Sequence, residues 1–354
     1  MLYKPQIEKI IERYKAFWAV DVLDRPPIRV RFTTNHMVDD EWSQAVLTHE
    51  GHFNYWERTA QQRACLDDDE VPAATLDLGP AFMAAVMGAS ISFSNGTSWC
   101  NHIISDLTDI SALKELSFDK TNPVIADYLE RAEYFSIHAK GKLAVGVAML
   151  TGGSDILGAL RGITESYMDM GEETEGFSAL LKICTDAWLN VQKLQFETVP
   201  SVFGGYCDNY GIWSPGKSTY FANDLSSCVS SAMYHSLMME QDSRMAGMLE
   251  CPWIHTHSVQ ARLVPDFLDI PGLRGLQIVN DGIAGPGFNE VFPFAQMVQK
   301  RGKCLLLRKY TMDELKPFLP NLSPKGLLID TQCGSIEEAK DILKDFSDQK
   351  YMTF

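Results

Sequence analysis

Lys142-Leu143-Ala144-Val145-Gly146-Val147-Ala148-Met149-Leu150 is a nearly unbroken apolar run, and Thr151-Gly152-Gly153-Ser154-Asp155 follows it directly. From Ile156 to Met170 the apolar residues then recur at helical spacing. A short apolar run bounded by glycines reads as a buried strand, and the 3.6-residue period reads as a helix. The unit is therefore strand, turn, helix. It repeats outward in both directions. Upstream, 122–139 predicts a helix. Downstream, helices are expected at 173–197, 226–249, 287–300, 311–319 and 335–346. Strands are expected at 199–204, 218–222, 252–256, 275–280, 303–307 and 326–331. Alternating strands and helices imply a parallel sheet, and eight or nine such units predict an α/β fold of the (β/α)8 TIM-barrel kind.

Toward the N-terminus, Ile7, Ile10, Ile11, Tyr14, Phe17 and Trp18 predict an amphipathic helix over 5–20, ended by Arg25-Pro26-Pro27. Residues 1–24 are thus expected to be a helical extension to one domain spanning 1–354. Ile28–Phe32 reads as a strand and about 40–65 as a long helix carrying His49 and His52, a pair better read as core-edge than as ligands. The acidic run Asp67-Asp68-Asp69-Glu70 reads as a solvated loop, and it lacks the alternation of a calcium loop. Gly79-Pro80 opens a short helix through Val86, and 89–110 reads as irregular.

Composition bounds the function. The chain has 354 residues, 45% hydrophobic and 22% charged, which is a globular balance. A formal net charge of -15 argues against nucleic acid and anionic membrane surfaces as partners. No apolar run approaches the ~18 residues of a membrane span, and the N-terminus has no signal-peptide pattern. Eight cysteines without a paired framework suggest reduced thiols and a cytoplasmic setting. Neither a dinucleotide-binding Gly pattern nor a P-loop is present.

Active sites of barrels lie where strands end. Those ends carry Asp155, Tyr206, Asp224, His255, His257, Asp281, Arg308 and Cys333. His255 and His257, in Trp253-Ile254-His255-Thr256-His257-Ser258, are two apart on a strand and so share a face, as a chelating pair must. Cys333, just past the last apolar strand, is the expected third ligand of a zinc site with one open position. The pair could equally hydrogen-bond a substrate, or each other through water. Asp155 and Asp224 are candidate acid–base residues or helix caps, and Asp281 is a candidate acid and a partner that could orient a ligating histidine. Tyr206 and Trp213 are candidate substrate contacts. Trp213 could also be a packed turn residue. Arg308 is either salt-bridged or an anchor for a carboxylate or phosphate.

Leu150–Gly162, Trp213-Ser214-Pro215-Gly216, Asn223-Asp224-Leu225-Ser226, Ile270-Pro271-Gly272-Leu273 and Cys333–Ala339 resemble segments of the uroporphyrinogen decarboxylase superfamily. Its true decarboxylases carry Met-Arg-Gln-Ala-Gly-Arg near the N-terminus; residues 25–36 lack it, so tetrapyrrole decarboxylation is not expected. The resemblance is closer to the branch of zinc-dependent methyltransferases that use a corrinoid (cobalamin). Their zinc pattern is His-x-Cys with a distant Cys-Gly. His255 and Cys333 match it, and His257 stands where the family has Cys. The chain has no Asp-x-His-x-x-Gly motif, so the resemblance implies a corrinoid carrier protein as partner and a small-molecule methyl donor or acceptor. A metal-free decarboxylase or lyase using Asp155 or Asp224, and a non-catalytic tetrapyrrole- or corrinoid-binding barrel, are the competing expectations.

Overall fold

The computed structural model describes residues 1–32, 40–109, 113, 116, 118–172 and 174–352. His36 and the rest of 33–39, at the end of the segment compared with the decarboxylase signature, lie outside the described residues. The strands are β1 (Ile28–Phe32), β2 (Ala73–Thr75), β3 (Ile91–Ser94), β4 (Thr97–Cys100), β5 (Ala144–Gly146), β6 (Tyr206–Cys207), β7 (Trp213–Ser214), β8 (Tyr220–Ala222), β9 (Trp253–His257), β10 (Gly275–Val279), β11 (Cys304–Arg308) and β12 (Leu327–Cys333). They form a six-stranded sheet in the order β1-β12-β11-β10-β9-β8, parallel throughout, and a four-stranded sheet β2-β5-β6-β7. The pair β3–β4 is a separate hairpin inside the stretch expected to be irregular.

Among the described residues, no ladder joins the two sheets into the expected closed barrel. Single backbone bonds link them, Asp69 N to Ile28 O at 2.8 Å and Ala222 N to Thr151 O at 3.3 Å. β5 is short because a side chain replaces the ladder. Beyond Gly146, the Ala148 N–H donates to Gln195 Oε1 at 2.5 Å and its carbonyl accepts from Gln195 Nε2 at 3.3 Å. The run 142–150 therefore contributes only three residues of ladder.

The helices depart from expectation at specific residues. Gly162, at φ +106°, breaks the stretch 156–170 into Gly153–Arg161 and Ile163–Gly171. Gly152 has to be glycine, because a Cβ there would lie 1.8 Å from the Ala222 carbonyl oxygen. The Met-rich stretch 226–249 becomes a turn at Asp224–Cys228 and the helices Ser231–Leu237 and Met239–Met248, the first capped by Ser230. No described helix is long and apolar enough to cross a membrane.

The helix Ile7–Trp18 is amphipathic as expected, and its apolar face covers the starts of β9 and β11. Trp18 Nε1 donates to Trp213 O at 2.9 Å, and Ile7, Tyr14 and Phe17 pack with Trp213, Trp253 and Cys304. Within the acidic run Asp67 is exposed and Glu70 half-buried, but Asp68 and Asp69 are buried rather than solvated. Asp68 pairs with Lys4 and Arg63, and Asp69 with Arg13 and Arg25, all at buried positions. Those pairs tie the extension to the strand segment that follows it.

Register decides which side chains meet. Across the large sheet, His255 is level with Gln277, and His257 with Val279; Val279 is level with Arg308, Arg308 with Asp330, and Asp330 with Arg29. Laterally paired residues in a parallel sheet point to the same face, as do residues two apart. One face therefore collects His255, His257, Gln277, Arg308, Asp330, Arg29 and Arg31. The opposite face collects Ile28, Val30, Ile254, Ile278, Leu307 and Ile329, the core layer under the helices.

Candidate functional site

β9 delivers the histidine pair, and β10 holds it. His255 Nδ1 lies 2.5 Å from Gln277 Oε1, its lateral neighbour, and His257 Nδ1 lies 2.5 Å from Asp281 Oδ1. A carboxylate only accepts, so the His257 proton sits on Nδ1. With Gln277 accepting from His255 in the same way, both rings turn Nε2 inward, each a lone pair when its ring is neutral. Those two Nε2 atoms are 3.3 Å apart. Two lone pairs at that distance repel unless a proton or a cation lies between them.

Asp224 completes the cluster. It follows β8 by two residues, and its Oδ1 is 3.7 Å from His257 Nε2. One ligand atom each from Asp224, His255 and His257 falls within 4.8 Å of the others. The nearby Asp224 carboxylate is the main reason the His257 pKa is pushed up to about 9, with burial opposing it and Asp281 adding to it. Burial pulls His255 down to about 4, against the attraction of Asp224. The two rings thus differ sharply in proton affinity despite their contact. Asp281 is further fixed by Ser258 Oγ at 2.8 Å and the Val259 N–H at 3.2 Å.

Cys333 is not part of this cluster. β12 is three strands away from β9, and counting by twos from Asp330 reaches Gln332, so Cys333 lies on the core face beside Phe32. Its thiol donates to Ser335 O at 3.2 Å. The expected convergence of Cys333 with the two histidines is not found; the group that converges with them is Asp224. Trp213 is corrected as well: it is 1% exposed, it donates from Nε1 to Val202 O at 2.8 Å, and it packs under the N-terminal helix. Tyr206 packs edge-on against Phe196 at 5.0 Å, away from the histidines.

Asp155 lies behind Asp224. Its Oδ1 accepts from the Leu225 N–H at 3.2 Å, while Oδ2 is shut off from solvent without a partner. Burial, then the charge of Asp224, raises its pKa well above the carboxylate range. Arg308 ends β11 and stacks on Tyr210, its guanidinium carbon 3.5 Å from the ring centroid. His49 pairs with Asp127 and the buried His52 with Trp56 and Arg131, so neither joins a ligand set.

Several residues at the site were not singled out from sequence. Gln277 is a polar residue inside an all-buried strand, a signal in itself. Asp77, just past β2, accepts from the Gly79 N–H at 2.9 Å and from Asn209 Nδ2 at 3.4 Å, and burial pushes its carboxyl up. Tyr220 lies between His255, at 5.4 Å, and Tyr210, at 4.9 Å, so aromatic rings bridge the histidines and Arg308.

No family model matches the chain, and no curated protein is similar to it. Among solved structures, a methyltransferase from Methanosarcina mazei has the same fold. The TM-score is 0.69 at 14% identity, covering 97% of this chain and 99% of that one. At that identity the likeness is one of fold.

Proposed function

We propose that this chain is a methyltransferase that moves a methyl group between a small molecule and a corrinoid held on a separate carrier protein. In this reading a zinc-class divalent ion is held by His255, His257 and Asp224, and the two sheets act as one barrel-type scaffold around them. The observation that carries it is the pair of Nε2 atoms 3.3 Å apart, each ring fastened through its other nitrogen. Tetrahedral ligands about 2.0–2.1 Å from zinc stand about 3.3–3.4 Å from one another, so the spacing fits. Fastening the far nitrogen to a carboxylate or amide is how metal-ligating histidines are held. The full-length fold likeness to a methyltransferase supports the reaction class.

A bound ion there supplies Lewis acidity to the atom that gives up or receives the methyl group. The chain's own residues do the rest. Asp281 and Gln277 hold the rings, and Asp224 supplies negative charge beside them. Asp155 lies behind that carboxylate, its pKa raised by burial and by the charge of Asp224. A second reading, a metal-free decarboxylase, rests on Asp155 and Asp77, two carboxyls whose raised pKa would let either hold a proton without a metal.

Elemental analysis of the purified chain and the visible spectrum of added methylcobalamin or cob(I)alamin test the proposal. We expect one zinc-class ion per chain, lost in His255→Ala, and metal-dependent change in the methylation state of the corrinoid. A chain that takes up no metal, or a metal-loaded chain inert to both corrinoids across thiol acceptors and methylated donors, overturns it.

A further inference from the structure

The arginines on the site face are not fully matched by carboxylates. Arg308 has a side chain only 8% exposed, and its Nη1 has no hydrogen-bond partner. The nearest carboxylate oxygen, Asp330 Oδ2, is 3.7 Å from that nitrogen. Asp330 already accepts from Arg31 Nε at 2.9 and 3.1 Å, and it also faces Arg29 Nη1 at 3.6 Å. Three guanidinium groups thus share one carboxylate. Glu70 is occupied by Arg29 and Arg63, each at 2.9 Å. Asp208 accepts the Tyr210 and Ile212 amides on Oδ1, at 2.8 and 2.9 Å, and its buried Oδ2 has no hydrogen-bond partner. A buried charge without a full partner is costly unless something else supplies one.

These guanidinium groups open onto a cavity of about 350 Å³, within the range of small-molecule sites. Arg29, Arg31, Arg63 and Arg308 line it, together with Phe32, Tyr55 and Trp56. Glu70 and Asp77 also line it; Glu70 is paired with Arg29 and Arg63, and Asp77 accepts from the Gly79 N–H and from Asn209 Nδ2. The cavity lining is therefore both cationic and aromatic. Packed side chains link its lining to the histidines. Val279 is level with both His257 and Arg308, and Tyr220 and Tyr210 stack between His255 and Arg308.

We propose that this cavity binds the carboxylate of a small organic acid, anchored by Arg308 and Arg31, with its apolar body against Trp56 and Tyr55. The acid would be the methyl-bearing or methyl-accepting molecule, its reacting atom directed along the Tyr210–Tyr220 stack to His255 and His257. That last assignment rests on the methyl-transfer reading; the binding itself does not.

Calorimetric titration of the full chain tests the site without turnover, using benzoate, benzamide and inorganic phosphate, with and without added zinc. Benzoate is expected to bind, and the isosteric neutral benzamide to bind about tenfold more weakly or worse, the loss of one charge-assisted contact. Arg308→Met and Arg31→Met should each weaken benzoate by about tenfold or more while leaving zinc affinity unchanged. Arg31 is on the rim, 36% exposed, so its variant decides the matter if Arg308→Met does not fold. Equal binding of benzoate and benzamide, or wild-type benzoate affinity in the folded variants, overturns the proposal. Phosphate binding as tightly as benzoate, with the same dependence on Arg308, overturns the carboxylate assignment in favour of an inorganic anion. Benzoate binding that follows the arginines in a chain that takes up no zinc upholds this site and rejects the metal reading alone.

Discussion

Replacing Asp281 with Asn perturbs the histidine pair without opening space. Asp281 accepts three hydrogen bonds, from His257 Nδ1 at 2.5 Å, Ser258 Oγ at 2.8 Å and the Val259 N–H at 3.2 Å. A carboxylate can accept all three, but an amide offers one oxygen and one NH2. If the amide oxygen faces His257, the NH2 meets the Val259 N–H, donor against donor. If the amide flips, its NH2 meets Nδ1, and the His257 proton must move to Nε2, the atom that faces the proposed ion. Either outcome weakens the site, and the loss of an outer partner of this kind costs ten- to a hundredfold in metal affinity, about 1.4–2.7 kcal/mol. Competition against a chromophoric chelator, with full-length chain at fixed pH and salt, reads the change. A thermal melt separates it from misfolding. Wild-type zinc affinity in a folded Asp281→Asn variant would refute the reasoning. The close approach of the two Nε2 atoms would then be a shared proton.

Three further outcomes follow from the same geometry. Cys333→Ala should keep wild-type zinc content by elemental analysis, since its thiol lies on the far face of β12; a matched loss of zinc would return it to the site. Burial raises Asp242 to about 7, above its ordinary 3.8, so the native state holds a proton there that the unfolded chain releases. Stability contributed by that proton is lost as pH rises from about 4 to about 7, and the melting temperature of Asp242→Asn should gain on the wild type across that window; parallel pH profiles would contradict it. Trp213→Phe should lower the unfolding free energy in urea by about 1–3 kcal/mol, through lost volume and the lost bond to Val202 O, and leave zinc affinity unchanged; a change in zinc affinity with normal stability would place Trp213 at the site instead.

The alternation of strands and helices was legible because each unit states its own period. The large sheet matches the expected strands at 252–256, 275–280, 303–307 and 326–331 to within two residues at each end. The second sheet was harder to read, for a local reason. Its strands run two or three residues, and Gln195 substitutes for the ladder beyond Gly146. Apolar content shows that the segment 142–150 is buried, but not that a distant glutamine side chain satisfies its backbone. The acidic run at 67–70 was misjudged similarly. Its partners Lys4, Arg13, Arg25 and Arg63 are scattered in sequence, and only the folded chain brings them to Asp68 and Asp69.

The site divides along the same line. The convergence of His255 and His257 depends only on the two-residue period of one strand, and sequence spacing is enough to find it. The third donor depends on register between strands, and there local logic gives the wrong residue. Within Leu327–Cys333, the residue that shares a face with the histidines is Asp330, set by its pairing with Arg308 and Arg29. Cys333 is an odd number of residues further on, so the pleat turns it to the core however close the strand end comes to the site. Asp224 takes its place because β8 lies directly beside β9, with Ala222 level with His255. Two residues past that pair, the chain has turned into the Asp224–Cys228 turn, and the carboxylate reaches over the end of β9. Its sequence neighbourhood reads as a helix cap, and adjacency to the histidines is visible only in the strand order. The same register sets Arg308 level with His257 through Val279, which makes the arginine cavity and the histidine cluster two ends of one face.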